Sequence, residues 1–330
     1  MSKVLIESTL QKLLSDGVRV SMPELIRYKG IASRLNLQPA SAVRSSMAGT
    51  LSSRIKGRGM EFDEARHYQP GDDIRSIDWR VTARTGKTHT KLFREERERP
   101  VLVYIDLHNS MHFGTQLLYK SVQAIHCAAL ISFSALSRGD KVGCVAIDEE
   151  QDIELKPKAT SKHVLGMLNQ IVNLQNKAVS NLSKTRLSHE RKLSREAGLN
   201  KLAMLAKPGT LVYLISDFTH FQSEAFDAIG KMRRHCEIRP LQIFDPIEFA
   251  LPQMKGANHV QLTDGLNEQS INLGDSNLAN QYQTARNHWF HGLSNSMAKH
   301  SIHLRTLSAS SPLEDQLIAS KRGLVLGATV

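Results

Sequence analysis

Cysteine is scarce in this 330-residue chain: Cys127, Cys144 and Cys236 are its three residues, and no two form a C-x-x-C pair. An odd, widely spaced set excludes a disulfide framework and a thiolate zinc site, and points to a reducing compartment. Aromatic residues make up only 5%. They do not interleave with basic residues in the way that stacks unpaired bases, which argues against a single-strand nucleic-acid platform. Long apolar runs are missing as well, since no stretch approaches the roughly 18 residues that cross a bilayer. At the N-terminus, Glu7 and Asp16 interrupt MSKVLIESTLQKLLSDG where a signal peptide needs an unbroken apolar core. The expectation is a cytoplasmic protein.

Catalytic signatures are absent too. No G-x-S-x-G elbow, H-E-x-x-H helix or Cys-His nucleophile constellation occurs. Thr85-Gly86-Lys87-Thr88 imitates the end of a phosphate-binding loop, but Val81 stands where its first glycine is required, and Lys91-Leu92-Phe93 reads as strand rather than helix. The chain is read as a non-enzyme.

What is present is an ordinary globular composition, 41% hydrophobic and 23% charged, with 43 Lys+Arg against 32 Asp+Glu and a formal net charge of +11. The length suits about two domains of about 150 residues, each able to bury its own core. The positive excess favours an anionic partner: nucleic acid, a membrane surface or an acidic protein face. The stretch 177–207 concentrates it, with Lys177, Lys184, Arg186, Arg191, Lys192, Arg195, Lys201 and Lys207 against Glu190 and Glu196.

Three regions follow from the patterning. Residues 1–37 read as a helical leader, with Val4, Leu5, Leu10, Leu13 and Leu14 near 3.6 spacing, Gly17 to close one helix and Pro23 to open the next. Residues 38–100 form a small β-rich unit, punctuated by Gly57, Gly59, Pro70-Gly71-Asp72-Asp73 and Gly86. From 101 to 330 apolar strands alternate with amphipathic helices. The strands are 101–106, 141–147 with 153–155 as its hairpin mate, 211–217, 237–244 and 302–307; the helices are 117–136, 164–174, 223–234, 279–300 and 312–321. That alternation argues an α/β fold with a mostly parallel sheet flanked by helices on both faces.

In such a sheet ligands bind beyond the carboxyl ends of the strands. Two strands end in acids there, giving Asp106-Leu107-His108-Asn109-Ser110 and Ser216-Asp217. Carboxylate and hydroxyl oxygens around an open octahedron suit magnesium or another divalent cation. The arrangement resembles the metal-ion-dependent adhesion site of the von Willebrand factor A fold. Its first-strand motif is Asp-x-Ser-x-Ser, with a Thr and a second Asp supplied by later loops. Asp106, Ser110 and Asp217 match, and Thr160, with Ser161 as fallback, takes the Thr position by this resemblance. His108 stands where the first Ser belongs. An imidazole is a poor magnesium ligand and a good one for zinc, so three states stay open: a hard divalent cation, a softer metal, or no ion, with Asp106 and Asp217 then capping local backbone.

The β-rich unit runs Gly57-Arg-Gly-Met-Glu61-Phe-Asp63-Glu64-Ala-Arg66-His-Tyr68-Gln-Pro70-Gly71-Asp72-Asp73-Ile-Arg75-Ser-Ile-Asp78-Trp79 and on through Arg84 to Arg94-Glu95-Glu96. Read from the residues alone, Arg66, Arg75 and Arg84 can fork onto Glu61, Asp72, Asp73 or Asp78, while Tyr68 and Trp79 pack half-buried. Neighbouring arginines would keep these carboxylates ionised, the wrong direction for a general acid, so the network is structural or partner-docking. The string resembles the signature of the domain-of-unknown-function-58 family, in which such a segment precedes a von Willebrand A-like domain. That resemblance implies a non-enzymatic adaptor working with a MoxR-type AAA+ ATPase in complex maturation or remodelling, with other von Willebrand A proteins as further partners. The rival expectation is a basic protein that binds nucleic acid or anionic membrane through residues 177–207.

Overall fold

Val101-Leu-Val-Tyr-Ile-Asp106 is apolar without alternation because both of its faces are covered: Val101, Val103 and Ile105 join one core, and Leu102 and Tyr104 the other. The computed structural model of the chain describes residues 3–35, 60–95, 99–182, 194–252, 259–263, 268–320 and 323–329. It separates two compact units, Met1–Pro39 with Arg99–Val330, and Ala40–Glu98.

The larger unit begins with α1 (Lys3–Leu13) and α2 (Met22–Ile26). These are not a free-standing leader. Leu13, Val20, Leu25, Tyr28, Ala32 and Leu35 are buried in the core on one face of the sheet. Gly17 makes the join: its φ is +83°, a Cβ there would sit 2.5 Å from the Leu117 carbonyl oxygen, and its own carbonyl accepts the Tyr119 N–H at 2.7 Å. Only glycine tolerates that combination. A buried relay adds a polar clasp, Tyr28 Oη lying 3.0 Å from His126 Nδ1 and His126 Nε2 3.2 Å from Glu24 Oε1. Burial raises the Tyr28 phenol well above its usual range, so the hydroxyl keeps its proton.

The smaller unit contains β1 (Met60–His67), α3 (Trp79–Thr85) and β2 (His89–Glu95). The two strands pair antiparallel, with His67 opposite His89. A helix therefore sits between the strands of what reads in sequence as a small β-rich unit, and two side-chain caps explain it. Asp73 accepts the Arg75 N–H, and Asp78 accepts those of Arg80 and Val81, so each turn starts on an aspartate that satisfies its orphan donors.

The sheet unit continues with β3 (Val101–Asp106), α4 (Lys120–Ser137), β4 (Val142–Ile147), β5 (Asp152–Lys158), α5 (Ser161–Asn181), α6 (Arg195–Leu205), β6 (Leu211–Ser216), α7 (Ser223–Arg233) and β7 (Glu237–Phe244). It ends with β8 (His259–Thr263), β9 (Glu268–Asn272), α8 (Ser276–Ala298), β10 (Arg305–Ser308), β11 (Leu317–Ser320), β12 (Gly323–Leu326) and β13 (Ala328–Thr329). Seven strands form the central sheet in the order β13-β10-β7-β6-β3-β4-β5. The pairs from β10 to β4 are parallel, and β5 and the two-residue β13 close the edges antiparallel. Buried residues of α4, α5 and the N-terminal segment cover one face, and those of α6, α7 and α8 the other. This is the mixed α/β architecture with helices on both faces that the alternation predicts.

One element differs in kind. The segment expected as a closing helix, 312–321, is instead a short 3-10 turn at Glu314–Gln316 followed by β11, which pairs with β12. Four apolar positions are too few to hold a helical stripe, and a hairpin partner lies just beyond.

Candidate functional site

The carboxyl edge of the sheet is lined with aspartates. Asp106 ends β3, while Asp148, Asp217 and Asp245 immediately follow β4, β6 and β7, and all four are buried. The pattern reading singles out Asp106 and Asp217. It misses the other two, although the same signal, an apolar strand running into an aspartate, is visible at Ile147-Asp148 and Phe244-Asp245.

Asp106 is saturated by donors. Its Oδ1 accepts the His108 backbone N–H at 3.1 Å and His108 Nδ1 at 2.6 Å; its Oδ2 accepts Ser216 Oγ at 2.7 Å and Arg195 Nε at 2.8 Å. An ionised carboxylate only accepts, so His108 carries its proton on Nδ1. Arg195 reaches further and donates from Nη2 to Ser110 Oγ at 3.0 Å. Burial works to raise the Asp106 carboxyl, but the His108 hydrogen bond and the Arg195 and His108 charges outweigh it and hold the group well below the usual carboxylate range.

Asp217 has its own cation. Lys120, at the start of α4 and buried, donates to Asp217 Oδ2 at 2.9 Å and to Glu248 Oε1 at 2.6 Å, and Asp217 Oδ1 accepts the Thr219 N–H at 3.0 Å. Burial opposes ionisation of both partners. Lys120 nevertheless brings Asp217 below its ordinary value, and Asp217 with Glu248 raises Lys120 above its own. Asp245 caps the turn that follows β7 and accepts both the N–H and the hydroxyl of Thr115. Asp148 closes a turn by accepting the Glu150 and Gln151 N–H groups, and burial pushes its carboxyl up. His112, desolvated below this edge, is lowered to about 4 and stays neutral at physiological pH.

The expected metal-ligand set therefore comes together only in part. Asp106, Ser110 and Asp217 share the carboxyl edge, but Thr160 and Ser161 do not. β5 runs antiparallel to β4, with Asp152 opposite Ile147 and Lys158 opposite Val142, so the chain reaches Thr160 at the amino-terminal edge. There Thr160 caps α5 by accepting the His163 N–H, and His163 Nε2 lies 3.0 Å from the Val142 carbonyl.

The residues present do not fit a magnesium or similar cation. Every matching carboxylate is paired to a protein cation, Ser110 is engaged by the same guanidinium, and among the described residues no group of three or more His, Cys, Asp or Glu is arranged around a common point. Two unit charges about 4 Å apart interact by about 4 kcal/mol at an effective dielectric of about 20, so a divalent ion beside Arg195 or Lys120 would meet about 8 kcal/mol of repulsion. Among the described residues at this edge the carboxylates Asp106 and Asp217 are held ionised, Asp148 and Asp245 are engaged as caps, and the Lys120 amine is held protonated.

In the smaller unit the anticipated network also forms only in part. Arg66 Nη2 donates to Asp72 Oδ1 at 2.7 Å, and Asp72 Oδ2 accepts the Gln69 N–H, which pins the Pro70-Gly71 turn. Asp73 and Asp78 are backbone caps rather than ion-pair partners. Arg75 and Arg84 are exposed and form no ion pair among the described residues. Trp79, expected to pack half-buried, is 67% exposed, and Ile74 is 66% exposed. The caps cause this by fixing the turn and helix so that both side chains project outward. Gly57, Gly59, the Glu61 side chain and residues 96–98 lie outside the described residues.

Of the basic stretch 177–207, Lys184, Arg186, Arg191 and Lys192 lie outside the described residues. Of its other cations Arg195 is held on Asp106, Lys201 meets Asp152 at 2.5 Å, Lys177 faces Glu150 at 3.9 Å with both side chains half exposed, and Lys207 is exposed.

Comparison with known proteins matches this framework to one family. Residues 64–289, more than half of the chain, match the family described as protein of unknown function DUF58. The uncharacterized protein Rv1480 of Mycobacterium tuberculosis is 33% identical over 120 residues, 36% of this chain and 38% of that protein. The uncharacterized protein YeaD of Bacillus subtilis is 30% identical over 88 residues, 27% of this chain and 20% of that protein. The matches thus span well under half the length of these relatives. Among solved structures, the conserved hypothetical protein BatB of Bacteroides thetaiotaomicron aligns at 15% identity and a TM-score of 0.32, over 62% of this chain and 98% of that one. An aerotolerance-related membrane protein of Bacteroides fragilis aligns at 17% identity and a TM-score of 0.32, over 57% and 88%. With a family match that begins inside β1 and runs through the whole Asp106 to Asp217 edge into α8, the chain belongs to the DUF58 family.

Proposed function

We propose that this protein is a non-enzymatic adaptor with a von Willebrand A-like sheet domain, and that it works with a MoxR-type AAA+ ATPase in the maturation or remodelling of protein complexes. One observation carries the reading: the carboxyl edge, where this architecture places ligands, is built from buried acids that are all tied to fixed cations or backbone donors. Such an edge is rigid and chemically quiet, which suits recognition rather than turnover. Around it, Asn109, Phe113 and His220 are exposed and give a partner polar and apolar contact.

The smaller unit offers a second contact. Trp79 and Ile74 stand on capped turns beside exposed Arg75, Arg80, Arg84 and Lys87. An exposed Trp amid arginines is the composition of an interface anchor, and the exposed cations favour an acidic face. The nucleic-acid or membrane reading keeps the stretch 177–207 without Arg195, which is committed to Asp106, while Lys177 and Lys207 remain exposed.

The test is capture of a purified MoxR-type ATPase from the same organism by immobilised wild type, Phe113→Asp and Trp79→Ala. Retention by wild type and its loss in either exposed-site variant supports the adaptor. If no ATPase is retained while duplex DNA or anionic vesicles bind and are released steeply by salt, the reading fails.

A further inference from the structure

The donor set at the carboxyl edge has the outline of a cation site, yet its cation is a side chain. Arg195 sits between Asp106 Oδ2, at 2.8 Å, and Ser110 Oγ, at 3.0 Å. Asp106 and Ser110 are the two first-strand residues that the von Willebrand A resemblance would assign to a metal. Ser216 Oγ completes the ring by donating to the same Asp106 oxygen at 2.7 Å. Lys120 does the equivalent for the second strand, on Asp217 and Glu248.

The placement of Arg195 is enforced by the fold. It is the first residue of α6, whose N-cap Ser194 accepts the Ala197 N–H. Gly198, one turn on, lies so close to β3 and β4 that a Cβ would be 2.9 Å from Tyr104 Cε2 and 3.2 Å from Ile147. Tyr104 Oη, from the middle of β3, also reaches the Arg195 carbonyl at 3.4 Å. The helix start is therefore held against the strand that ends in Asp106, and the guanidinium is aimed at the edge. His108 fits the same design. Where a metal site wants a small oxygen ligand, an imidazole N–H instead donates to Asp106 Oδ1, which is useful to a carboxylate whose counterion is an organic cation and useless to a hard metal.

We propose that Arg195 is the resident cation of this site, so that the edge is complete without any divalent ion. The guanidinium differs from a metal in consequence as well as in kind. A metal-bridged contact is switched by chelation, whereas an arginine carries its charge at every physiological pH and leaves with no chelator.

The experiment needs no partner. Wild type, Arg195→Ala, Arg195→Gln and the double variant Asp106→Asn with Arg195→Ala are titrated with MgCl2 and MnCl2 alone by calorimetry, and their thermal unfolding is followed in either salt and in EDTA. Wild type is expected to show no saturable metal binding, and its midpoint should differ by less than about 1 °C between EDTA and metal. Arg195→Ala is expected to unfold at lower temperature in EDTA and to recover with manganese or magnesium but not with sodium chloride of equal ionic strength. It should bind Mn2+ at least about tenfold more tightly than wild type, and the added Asp106→Asn should abolish that gain. Arg195→Gln keeps hydrogen-bond donors for Asp106 without the charge, so it secures the measurement if the alanine variant does not fold, and it is expected to gain metal affinity in the same direction. Stoichiometric binding of magnesium or manganese by wild type, lost in Asp106→Asn, overturns the proposal. So does a folded Arg195 variant that gains no metal affinity. Neither result bears on whether an ATPase binds, and a failed ATPase capture leaves these titrations intact.

Discussion

Arg195 and Asp106 meet through Nε and Oδ2 at 2.8 Å, 89 residues apart in the chain, and the carboxylate they share with Ser216 is fully buried. Taking a charge out of water costs several kcal/mol, and the cost is met here only because each lone pair finds a donor. Removing one member should therefore be far worse than removing both. Asp106→Ala is expected to lower unfolding free energy by about 3–5 kcal/mol, and combining it with Arg195→Met should restore a large part of the loss. Denaturant titration of the four members of this cycle checks it; additive losses would mean that the two residues are not coupled.

The pH dependence follows from the directions of the shifts at the edge. Asp106 and Asp217 both lie below their ordinary values in the fold, so their contribution is fully present above the unfolded value of about 3.9 and is lost as pH falls through the folded values. Lys120 is raised, so its contribution is present below about 10.4 and is lost as pH rises through its folded value. Buried His112, lowered to about 4, adds a loss that begins as pH falls below the unfolded value of about 6.5, so stability should be highest above neutrality and fall at both ends. Urea midpoints measured from acid to alkaline pH should show a shallower acid limb for Asp217→Asn than for wild type, and identical limbs would sink the assignment.

Trp79 is exposed although it is one of the two tryptophans in the chain. It makes little packing for the fold to lose, so Trp79→Ala is expected to change unfolding free energy by no more than about 0.5 kcal/mol. If the side chain anchors a partner, the same substitution should weaken binding at least about tenfold, the equivalent of about 1.4 kcal/mol. A large loss of stability with unchanged binding would assign the indole to the fold instead.

Thr160 supplies a contrasting case. It caps α5 through the His163 N–H and stands at the opposite edge from Asp106. Thr160→Ala is expected to cost about 1 kcal/mol of stability and to leave every binding property of the carboxyl edge unchanged. A change in partner affinity without a change in the denaturation midpoint would contradict this placement.

The sheet was legible because its signal is local and redundant. β3, β4 and β6 are six-residue apolar runs, each ending at or just before an acid, and the helices between them carry their own periodicity. The same signal placed Asp106 and Asp217 correctly at one edge. The hairpin β4–β5 was legible as well, and its geometric consequence, that the chain returns to the amino edge before Thr160, follows from the antiparallel pairing; a family template alone pointed the other way. Arg195 and Lys120 were not legible as site residues. Arg195 lies in a basic stretch where its charge looks like one of many, and Lys120 opens a helix like any surface lysine, so only the three-dimensional approach of distant segments reveals their partners. Trp79 misled for a related reason. Residue type argues burial, whereas the Asp73 and Asp78 caps decide which way the turn faces.

Gly198 is where packing and site geometry are joined. Because its missing side chain lets α6 approach β3 and β4, a methyl group there would press on Tyr104 at 2.9 Å and on Ile147 at 3.2 Å, and the buried Tyr104 ring has little room to retreat. Gly198→Ala would gain about 1 kcal/mol from helix propensity at an unhindered position, but overpacking here should cost about 1–3 kcal/mol, so the net effect is expected to be destabilising. The displacement falls on the first turn of α6 and hence on the reach of Arg195 to Asp106. The variant should accordingly lose part of the coupling between these two residues when the double-mutant cycle is repeated in its background. A Gly198→Ala protein as stable as wild type, with the Arg195–Asp106 coupling undiminished, would show that α6 can shift without disturbing the edge and that the guanidinium is not held by the helix that carries it.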